Sequence, residues 1–524
     1  MNISKLINSL SERVRKNQQR FQATLAFSGI LTLFICYLII VEDDGEESFF
    51  IGLGLIVATF ISLLLKVIDE NLREVNNAVT YGVSALAGVI TYLAIKLTDQ
   101  SLYCAMAIVG VILLTICIIM YSLYRNHDER KMFPHLFRSA FFSVMVNSVR
   151  FGGIIIALLA FHYLLVEIDD LFEKILPILF VLFECFGLYV IFISYLPNKD
   201  DEVKSFRAYD IIVSKVGLWV YLLLIAILYG YIIKIIVTWS MPVGRLNWFG
   251  SLALLFYVFF YLNVDEESGT LQRLFVRYGG LMLLPVVGVQ LFAIYIRVHA
   301  YGLTTLRYVS LLLIAGALLF VFNSIIRKKI SLVFIGMAVI VVIGLMSPLN
   351  IIDVPNMNQE ARLKRVFRAN GMLDGNKVIN YGKEVPSKDA EKIVSGLEYF
   401  GYPEGRVTEF VSGLKDLDPS VYYSSGQPST NYEYHDFFCE NKEISVEGFS
   451  TAEMRYDYLD NSEADYLKDY FTDLVANYGQ GALGSDIMTY DRDDNTRMVF
   501  TNIHLTYNDG VLEYVSIEYY LLRR

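Results

Sequence analysis

Residues 330–356 read ISLVFIGMAVIVVIGLMSPLNIIDVPN, and the change of composition inside this stretch decides the fold. The first half, up to Met346, is a continuous apolar run with only small residues between the large ones. The second half holds Pro348, Pro355 and Asn356, which are typical of turns and linkers. The chain therefore changes, at about residue 347, from a membrane-like sequence to a water-soluble one.

Similar apolar runs fill the chain before this point. A hydrocarbon core about 30 Å thick needs about 20 apolar residues in helical conformation. Runs of roughly this length, bounded by charged or turn residues, cover residues 21–41, 49–68, 78–97, 102–123, 141–165, 175–196, 211–237, 248–264, 278–298, 308–325 and 330–346. The sequence predicts a polytopic α-helical membrane bundle of about 11 transmembrane helices over residues 21–346.

The composition agrees with this class of protein. Of the 524 residues, 55% are hydrophobic and 19% are charged, whereas soluble chains carry about 25% charged residues. The net charge of −10 is uneven, because the residues after Leu349 carry 17 Lys and Arg against 30 Asp and Glu. An acidic tail argues against nucleic acid as a partner. The first partner that the sequence predicts is the lipid bilayer.

The distribution of Lys and Arg predicts the orientation, because loops that stay in the cytoplasm keep positive charge. Residues 1–20 are basic and amphipathic, so we assign this N-terminal segment to the cytoplasm. Alternate connections are also basic, whereas those between them are acidic or nearly neutral, as in residues 42–47 and 167–170. With eleven spans, the C-terminal tail is then extracytoplasmic.

The tail, residues 347–524, has the size and patterning of one compact α+β domain. Helical patterns cover residues 360–372, 388–400 and 464–478. Residues 497–506 and 511–521 alternate apolar and polar side chains around Asn508-Asp509-Gly510, which predicts a β-hairpin.

Three of the polar residues inside predicted spans stand out as functional candidates: Arg150, Glu184 and Gln290. Burying a charge in a membrane is costly, so Arg150 and Glu184 need an explanation. They form either a coupled charge site of a transporter or a structural ion pair. Alternatively, the Arg150 side chain extends along the helix to place its charge at the membrane surface. Gln290 lies near Pro285 and Gly288 and either opens a helix, as in transporters, or packs between helices.

The connection between the ninth and tenth runs has the most distinctive sequence, RVHAYGLTTLRY over residues 297–308. Gly302 permits a tight turn, and Thr304 is placed to cap the next helix. The two arginines either bind carbonyls at helix ends, anchor the acidic surface of the tail, or form an anion site for phosphate or carboxylate. The candidate functional residues are Arg297, His299, Tyr301, Gly302, Thr304 and Arg307.

This motif, after a span that contains LMLLP at residues 281–285, resembles bacterial multi-pass inner-membrane proteins catalogued as domain of unknown function 4153. The resemblance covers the membrane region best. It implies a location in the bacterial cytoplasmic (inner) membrane, and it implies no particular activity, substrate or cofactor.

We expect no cofactor and no metal. The five cysteines form neither a disulfide framework nor a paired metal site. Residues 491–495 lack the glycine and distal glutamate of a calcium loop, which favours an acidic turn that leads into the hairpin. His435 has Glu433, Asp436 and Glu440 nearby, but a single histidine among surface acids is rarely a metal site. The sequence lacks the motifs of serine hydrolases, P-loop proteins and dinucleotide-binding enzymes, which favours a non-enzymatic protein.

Three hypotheses about function follow. The first is an envelope protein whose bundle holds an extracytoplasmic domain that binds a partner protein, a glycan or a lipid-linked ligand. The 17 tyrosines after Leu349 either line a binding groove for a glycan or peptide or are present because tyrosine favours strands. The second is a transporter that uses Arg150, Glu184 and Gln290. The third is a membrane enzyme acting on a lipid-linked substrate at the outer face, with His299 as its general base.

Overall fold

The structure is a computed structural model of the chain. It describes residues 19–43, 45–98, 101–164, 170–201, 203, 209, 211–238, 245–401, 404–425, 432–439, 446, 448–460, 465–478, 481–493, 495–508 and 511–524. The predicted basic segment 1–20 therefore lies outside the described residues, apart from Gln19 and Arg20. The same is true of Asp509-Gly510 and of residues 167–169 in the predicted acidic connection.

Helices occupy every predicted apolar run. In chain order they are α1 (Gln22–Val41), α2 (Glu46–Asn71), α3 (Asn77–Lys96), α4 (Ser101–Asn126), α5 (Glu129–Leu164), α6 (Leu171–Ile193), α7 (Ile211–Thr238), α8 (Arg245–Asn263), α9 (Thr270–Tyr301), α10 (Thr305–Ile326) and α11 (Ser331–Met346). Within the described residues, nine of them are long and apolar enough to cross a membrane, and α8 and α11 offer shorter apolar stretches. The predicted polytopic bundle is confirmed.

Small residues allow close packing between these helices, as is usual in membranes. Where α2 crosses α3, a Cβ atom on Gly54 would lie 2.7 Å from the backbone oxygen of Gly88. Large apolar side chains fill the centre of the bundle, and Leu254, Leu283 and Val321 are completely buried there. Many apolar side chains on the outer surface are exposed, as expected for helices that face lipid.

The chain forms two compact units. The first contains the described residues up to Ile379 together with Gly396–Asp416, and the second contains Asn380–Ser395 together with Leu417–Arg524. After the bundle come α12 (Asp353–Ala369), the two-residue strands β1 (Leu373–Asp374) and β2 (Lys377–Val378), α13 (Ser387–Tyr399) and α14 (Glu409–Ser412).

Helix α12 begins earlier than the pattern at residues 360–372 predicts. The side-chain oxygen of Asn350 accepts hydrogen bonds from the backbone N–H groups of Ile352 (2.9 Å) and Asp353 (2.8 Å) at the start of the helix. Pro355 lies in the first turn, where its missing N–H costs nothing. Hydrogen bonds to the Asn350 side chain therefore fix the start of α12 within the predicted linker.

The second unit contains a six-stranded sheet. Its strands are β3 (Tyr432–Cys439), β4 (Thr451–Asp460), β5 (Gly481–Leu483), β6 (Thr489–Asp493), β7 (Thr496–Asn508) and β8 (Val511–Arg523). They are ordered β4-β8-β7-β3-β5, with β6 also paired to β7. Strands β7 and β8 are antiparallel neighbours, which confirms the predicted hairpin. Helix α15 (Lys468–Asn477) contributes Phe471 and Leu474 to the same apolar core as the sheet.

Candidate functional site

The predicted motif at residues 297–308 forms the end of α9, a tight turn and the start of α10. Helix α9 ends at Tyr301, and the N–H of Gly302 donates to the carbonyl oxygen of Val298 at 2.9 Å. Gly302 has a φ of +76°, which favours glycine. Thr304 occupies the position before α10, but its side chain makes no capping hydrogen bond. The turn therefore depends on Gly302 more than on Thr304.

Helix α12 packs against this turn through amide side chains. Gln359 is buried and donates to the carbonyl oxygens of Tyr301 (2.8 Å) and Leu303 (3.1 Å). The side-chain oxygen of Asn358 accepts from the N–H of Leu303 at 2.8 Å. These bonds satisfy backbone groups that the end of α9 leaves unpaired. We call residues 297–308 and the α12 side chains that contact them the motif junction.

Two arginines of the motif junction bind carbonyls at the end of α9. Arg307 donates to the oxygen of Gly302 at 2.5 Å. Arg362, on α12, donates to the oxygens of Ala300 (2.9 Å) and Tyr301 (3.3 Å). Burial and the charge of Arg307 lower the pKa of the Arg362 guanidinium. The sequence analysis identified Arg307 as a candidate but missed Arg362. The helical pattern around Arg362 gives no sign that its side chain binds carbonyls at the end of α9.

The remaining members of the motif face outward. Tyr301 and His299 are exposed, and the His299 ring stacks on Tyr295 with centroids 6.3 Å apart. Arg297 is half-buried, and its charge acts on the Arg307 guanidinium. Arg307 and Arg362 therefore bind neighbouring carbonyls at residues 300–302, and Arg297 lies about one turn before the end of α9.

A second group of polar contacts, which the sequence did not reveal, holds the start of α12 against α4. The Tyr103 hydroxyl donates to the Asp353 carboxylate and accepts from the N–H of Arg406 at 2.9 Å. Further along, the Tyr399 hydroxyl donates to Asn356 at 2.8 Å, and burial raises the pKa of Tyr399. Helix α12 is therefore fixed at two places besides the motif junction.

Gln290 lies in a buried polar cluster between α8, α9 and α10. Its side chain is fully buried, and its nitrogen lies 3.0 Å from both the Asn247 side-chain oxygen and the Ser251 hydroxyl. Asn247 in turn donates to Ser310 at 3.1 Å. The side-chain oxygen of Gln290 has no hydrogen-bond partner among the described residues. Helix α9 continues through Pro285 and Gly288, so Gln290 packs between helices and does not open one.

The structure does not join Arg150 and Glu184 in an ion pair among the described residues. The Arg150 side chain is exposed, and its guanidinium carbon lies 5.3 Å from the centre of the Phe183 ring. Glu184 lies in a π-helical turn of α6, and one of its carboxylate oxygens is buried without a partner among the described residues. Gln290 contacts Asn247 and Ser251 instead, so the grouping of these three residues in one transport site stays a prediction.

The two faces of the sheet differ in composition. One face holds Phe437, Phe500 and Ile517, which are buried in the core shared with α15. Strand register places Tyr456 opposite Glu518 and Tyr458 opposite Ser516 on the other side. We call this side the open face. Tyr456 and Tyr458 are 69% and 63% exposed there, and Phe438 and Tyr514 are exposed as well.

Polar contacts connect the side chains of the open face. The Tyr456 hydroxyl lies 2.9 Å from the Ser516 hydroxyl, and the Tyr458 ring stacks on Tyr514 with centroids 5.9 Å apart. His504 pairs with Asp436 nearby. His435 lies on the opposite face, edge-on to the Tyr507 ring, and is separated from Asp436 by the sheet.

Asp491 and Asp493 of the predicted acidic turn lie in β6 and are stabilised by contacts with nearby residues, whereas Asp494 lies outside the described residues. Arg497 binds Asp491 through two nitrogens, at 2.5 and 3.0 Å, and Asp493 accepts from the backbone of Asn495 at 2.8 Å. No group of three or more metal-binding side chains occurs among the described residues.

These features define a polytopic membrane protein with a bundle that contains the motif junction and a C-terminal mixed α/β region. The family model described as Domain of unknown function (DUF4153) matches residues 29–382, more than half of the chain, and the protein belongs to this family. The match contains the whole motif junction and ends before the six-stranded sheet. Comparison with curated proteins and with solved structures gives no match.

Proposed function

We propose that the protein is a binding protein of the bacterial cytoplasmic membrane, with its N-terminus in the cytoplasm and its C-terminal domain outside. The open face of the sheet binds an envelope glycan. The observation that carries this proposal is the exposure of Tyr456, Tyr458 and Tyr514 on one face, while the opposite face is packed. Exposed aromatic patches on a folded domain mark interaction surfaces.

The chemistry of the open face suits a sugar better than an apolar partner. A tyrosine ring presents a flat apolar surface and a hydroxyl, which match the C–H face and the hydroxyl groups of a pyranose. Ser516, Glu518 and the pair of Asp436 and His504 supply donors and acceptors beside the rings. A face intended only for an apolar partner would not need these polar groups.

Co-sedimentation with insoluble cell-wall glycan tests this proposal. The full chain in nanodiscs is compared with a variant carrying Tyr456→Ala and Tyr458→Ala, and with Tyr478→Ala as the control. Tyr478 is also exposed but lies at the end of α15, away from the open face. We expect the double variant to lose most of its binding while the control retains it. Equal binding by all three proteins contradicts the proposal.

Transport is a second candidate, favoured by the partner-free carboxylate oxygen of Glu184 within α6. An ionisable group inside a membrane is often functional. A transporter predicts that Glu184→Gln abolishes activity in cells while the amount of folded protein stays unchanged. Loss of folded protein would instead identify Glu184 as a structural residue.

A further inference from the structure

We propose that Arg297 and Arg307 form a binding site for the phosphate group of an anionic membrane lipid. The site lies at the end of the bundle where α9 stops and α10 begins. It uses none of the residues of the open face and does not depend on the glycan proposal.

Charge is the first argument. Arg297 lies about one turn before the end of α9 and Arg307 lies in the first turn of α10, so the tight turn at Gly302 holds both positive charges at the same end of these helices. Arg362 adds a third positive charge, because it binds the carbonyls of Ala300 and Tyr301 next to the Gly302 carbonyl that Arg307 binds. The described residues offer Arg297 and Arg307 no carboxylate within ion-pair distance. Acidic residues on α12 have other partners: Glu360 pairs with Lys364 at 2.7 Å, and Asp353 binds Asn350 at 2.8 Å. An anion at Arg297 and Arg307 would relieve the repulsion between them.

Hydrogen-bonding capacity is the second argument. A guanidinium has five N–H donors in a planar arrangement that matches a phosphate group. Arg307 donates to the Gly302 carbonyl through one nitrogen, which orients the side chain. Arg297 has no side-chain hydrogen bond among the described residues. Both arginines therefore retain donors for a ligand.

The surroundings indicate a lipid as the source of the phosphate. Both arginines lie at the ends of helices long enough to cross a membrane, the level at which lipid headgroups are found. Exposed side chains of α9 and α10 flank them, and Tyr295 and Leu306 are 66% and 80% exposed. Basic pockets between membrane helices bind phosphate headgroups, and here the adjacent apolar surface would contact the acyl chains.

Binding of defined lipids to the purified full chain tests the proposal. The protein in neutral detergent is titrated with phosphatidylglycerol, phosphatidylcholine or inorganic phosphate, and bound lipid is measured by native mass spectrometry. We expect phosphatidylglycerol to bind most tightly. We expect Arg297→Gln to weaken it by about tenfold, the effect of losing one hydrogen bond between charged groups. Arg297→Lys should weaken it less.

The matched control is Lys329→Gln, which removes one positive charge from an exposed side chain at the opposite end of α10. This variant should bind phosphatidylglycerol as the unmodified protein does. Equal losses in Arg297→Gln and Lys329→Gln would overturn the proposal, because binding would then follow net charge alone. Inorganic phosphate that competes as well as the lipid would overturn the lipid assignment. The Arg297 side chain makes no hydrogen bond to the backbone of the described residues, so its substitution should leave the thermal midpoint unchanged.

Discussion

Gly302 is the residue on which the motif junction depends most directly. A Cβ atom at this position would lie 2.5 Å from the Gln359 amide, and the φ of +76° is unfavourable for any side chain. We expect Gly302→Ala to destabilise the bundle by about 1–3 kcal/mol. Thermal unfolding in detergent measures this change.

Gly288 provides the control for that substitution. It lies inside α9, and a Cβ atom there would have no neighbour within 4 Å. Gly288→Ala should leave stability unchanged or raise it by up to about 1 kcal/mol, because alanine favours helix. Similar thermal midpoints for Gly302→Ala and Gly288→Ala would show that the motif junction does not depend on the conformation of Gly302.

Arg150 and Glu184 give a second prediction at the residue scale. The structure places Arg150 against Phe183 and forms no ion pair between the two charges. Removing the two charges should therefore have additive effects on the free energy of unfolding, with a coupling energy below about 0.5 kcal/mol. A double-mutant cycle of Arg150→Gln and Glu184→Gln measures this energy. Coupling well above that value would restore the ion pair that the sequence suggested.

Helix α15 is the element that holds the core of the second unit. Phe471 is fully buried and contacts Phe500, with ring centroids 6.3 Å apart. We expect Phe471→Ala to cost about 3–5 kcal/mol of stability. Phe438→Ala is the control, because Phe438 is half exposed on the open face. Proteolysis in increasing denaturant compares the two, and equal losses would show that α15 is not packed as described.

The hairpin between β6 and β7 gives a prediction about pH. Hydrogen bonding from Arg497 lowers the pKa of the Asp491 carboxyl below its ordinary value of 3.8. A lowered pKa stabilises the folded state above the ordinary pKa, and this contribution is lost as the pH falls through the lowered value. Because both side chains are more than one-third exposed, the effect at pH 7 should be below about 1 kcal/mol.

Hydrogen exchange of residues 489–499 tests this pH dependence. Asp491→Asn should exchange faster than the unmodified protein at pH 7, and the difference should vanish well below pH 3.8. The two proteins are compared at the same pH, because the intrinsic exchange rate of an amide itself depends on pH. A difference in exchange rate that grows as the pH falls would contradict the assignment of Arg497 as the partner of Asp491.

In the whole molecule, the lengths of the apolar runs predicted the bundle. A segment that crosses a membrane must form all its backbone hydrogen bonds within itself, as a helix does, and its side chains must be apolar. The alternation in residues 511–521 likewise predicted β8. Contacts between distant segments were not predictable. Gln359 and Arg362 lie more than 50 residues from the carbonyls that they bind, and no local pattern marks such pairs. Arg307 was found only because charge is unusual in that connection.

We propose that the C-terminal domain is extracytoplasmic. The direct test replaces the five native cysteines and introduces Lys468→Cys at an exposed position of α15, or Lys329→Cys between α10 and α11. Spheroplasts are treated with a membrane-impermeant thiol reagent before and after permeabilisation. We predict that Lys468→Cys is labelled in intact spheroplasts and that Lys329→Cys is labelled only after permeabilisation. The reverse pattern would place the domain in the cytoplasm and contradict the account.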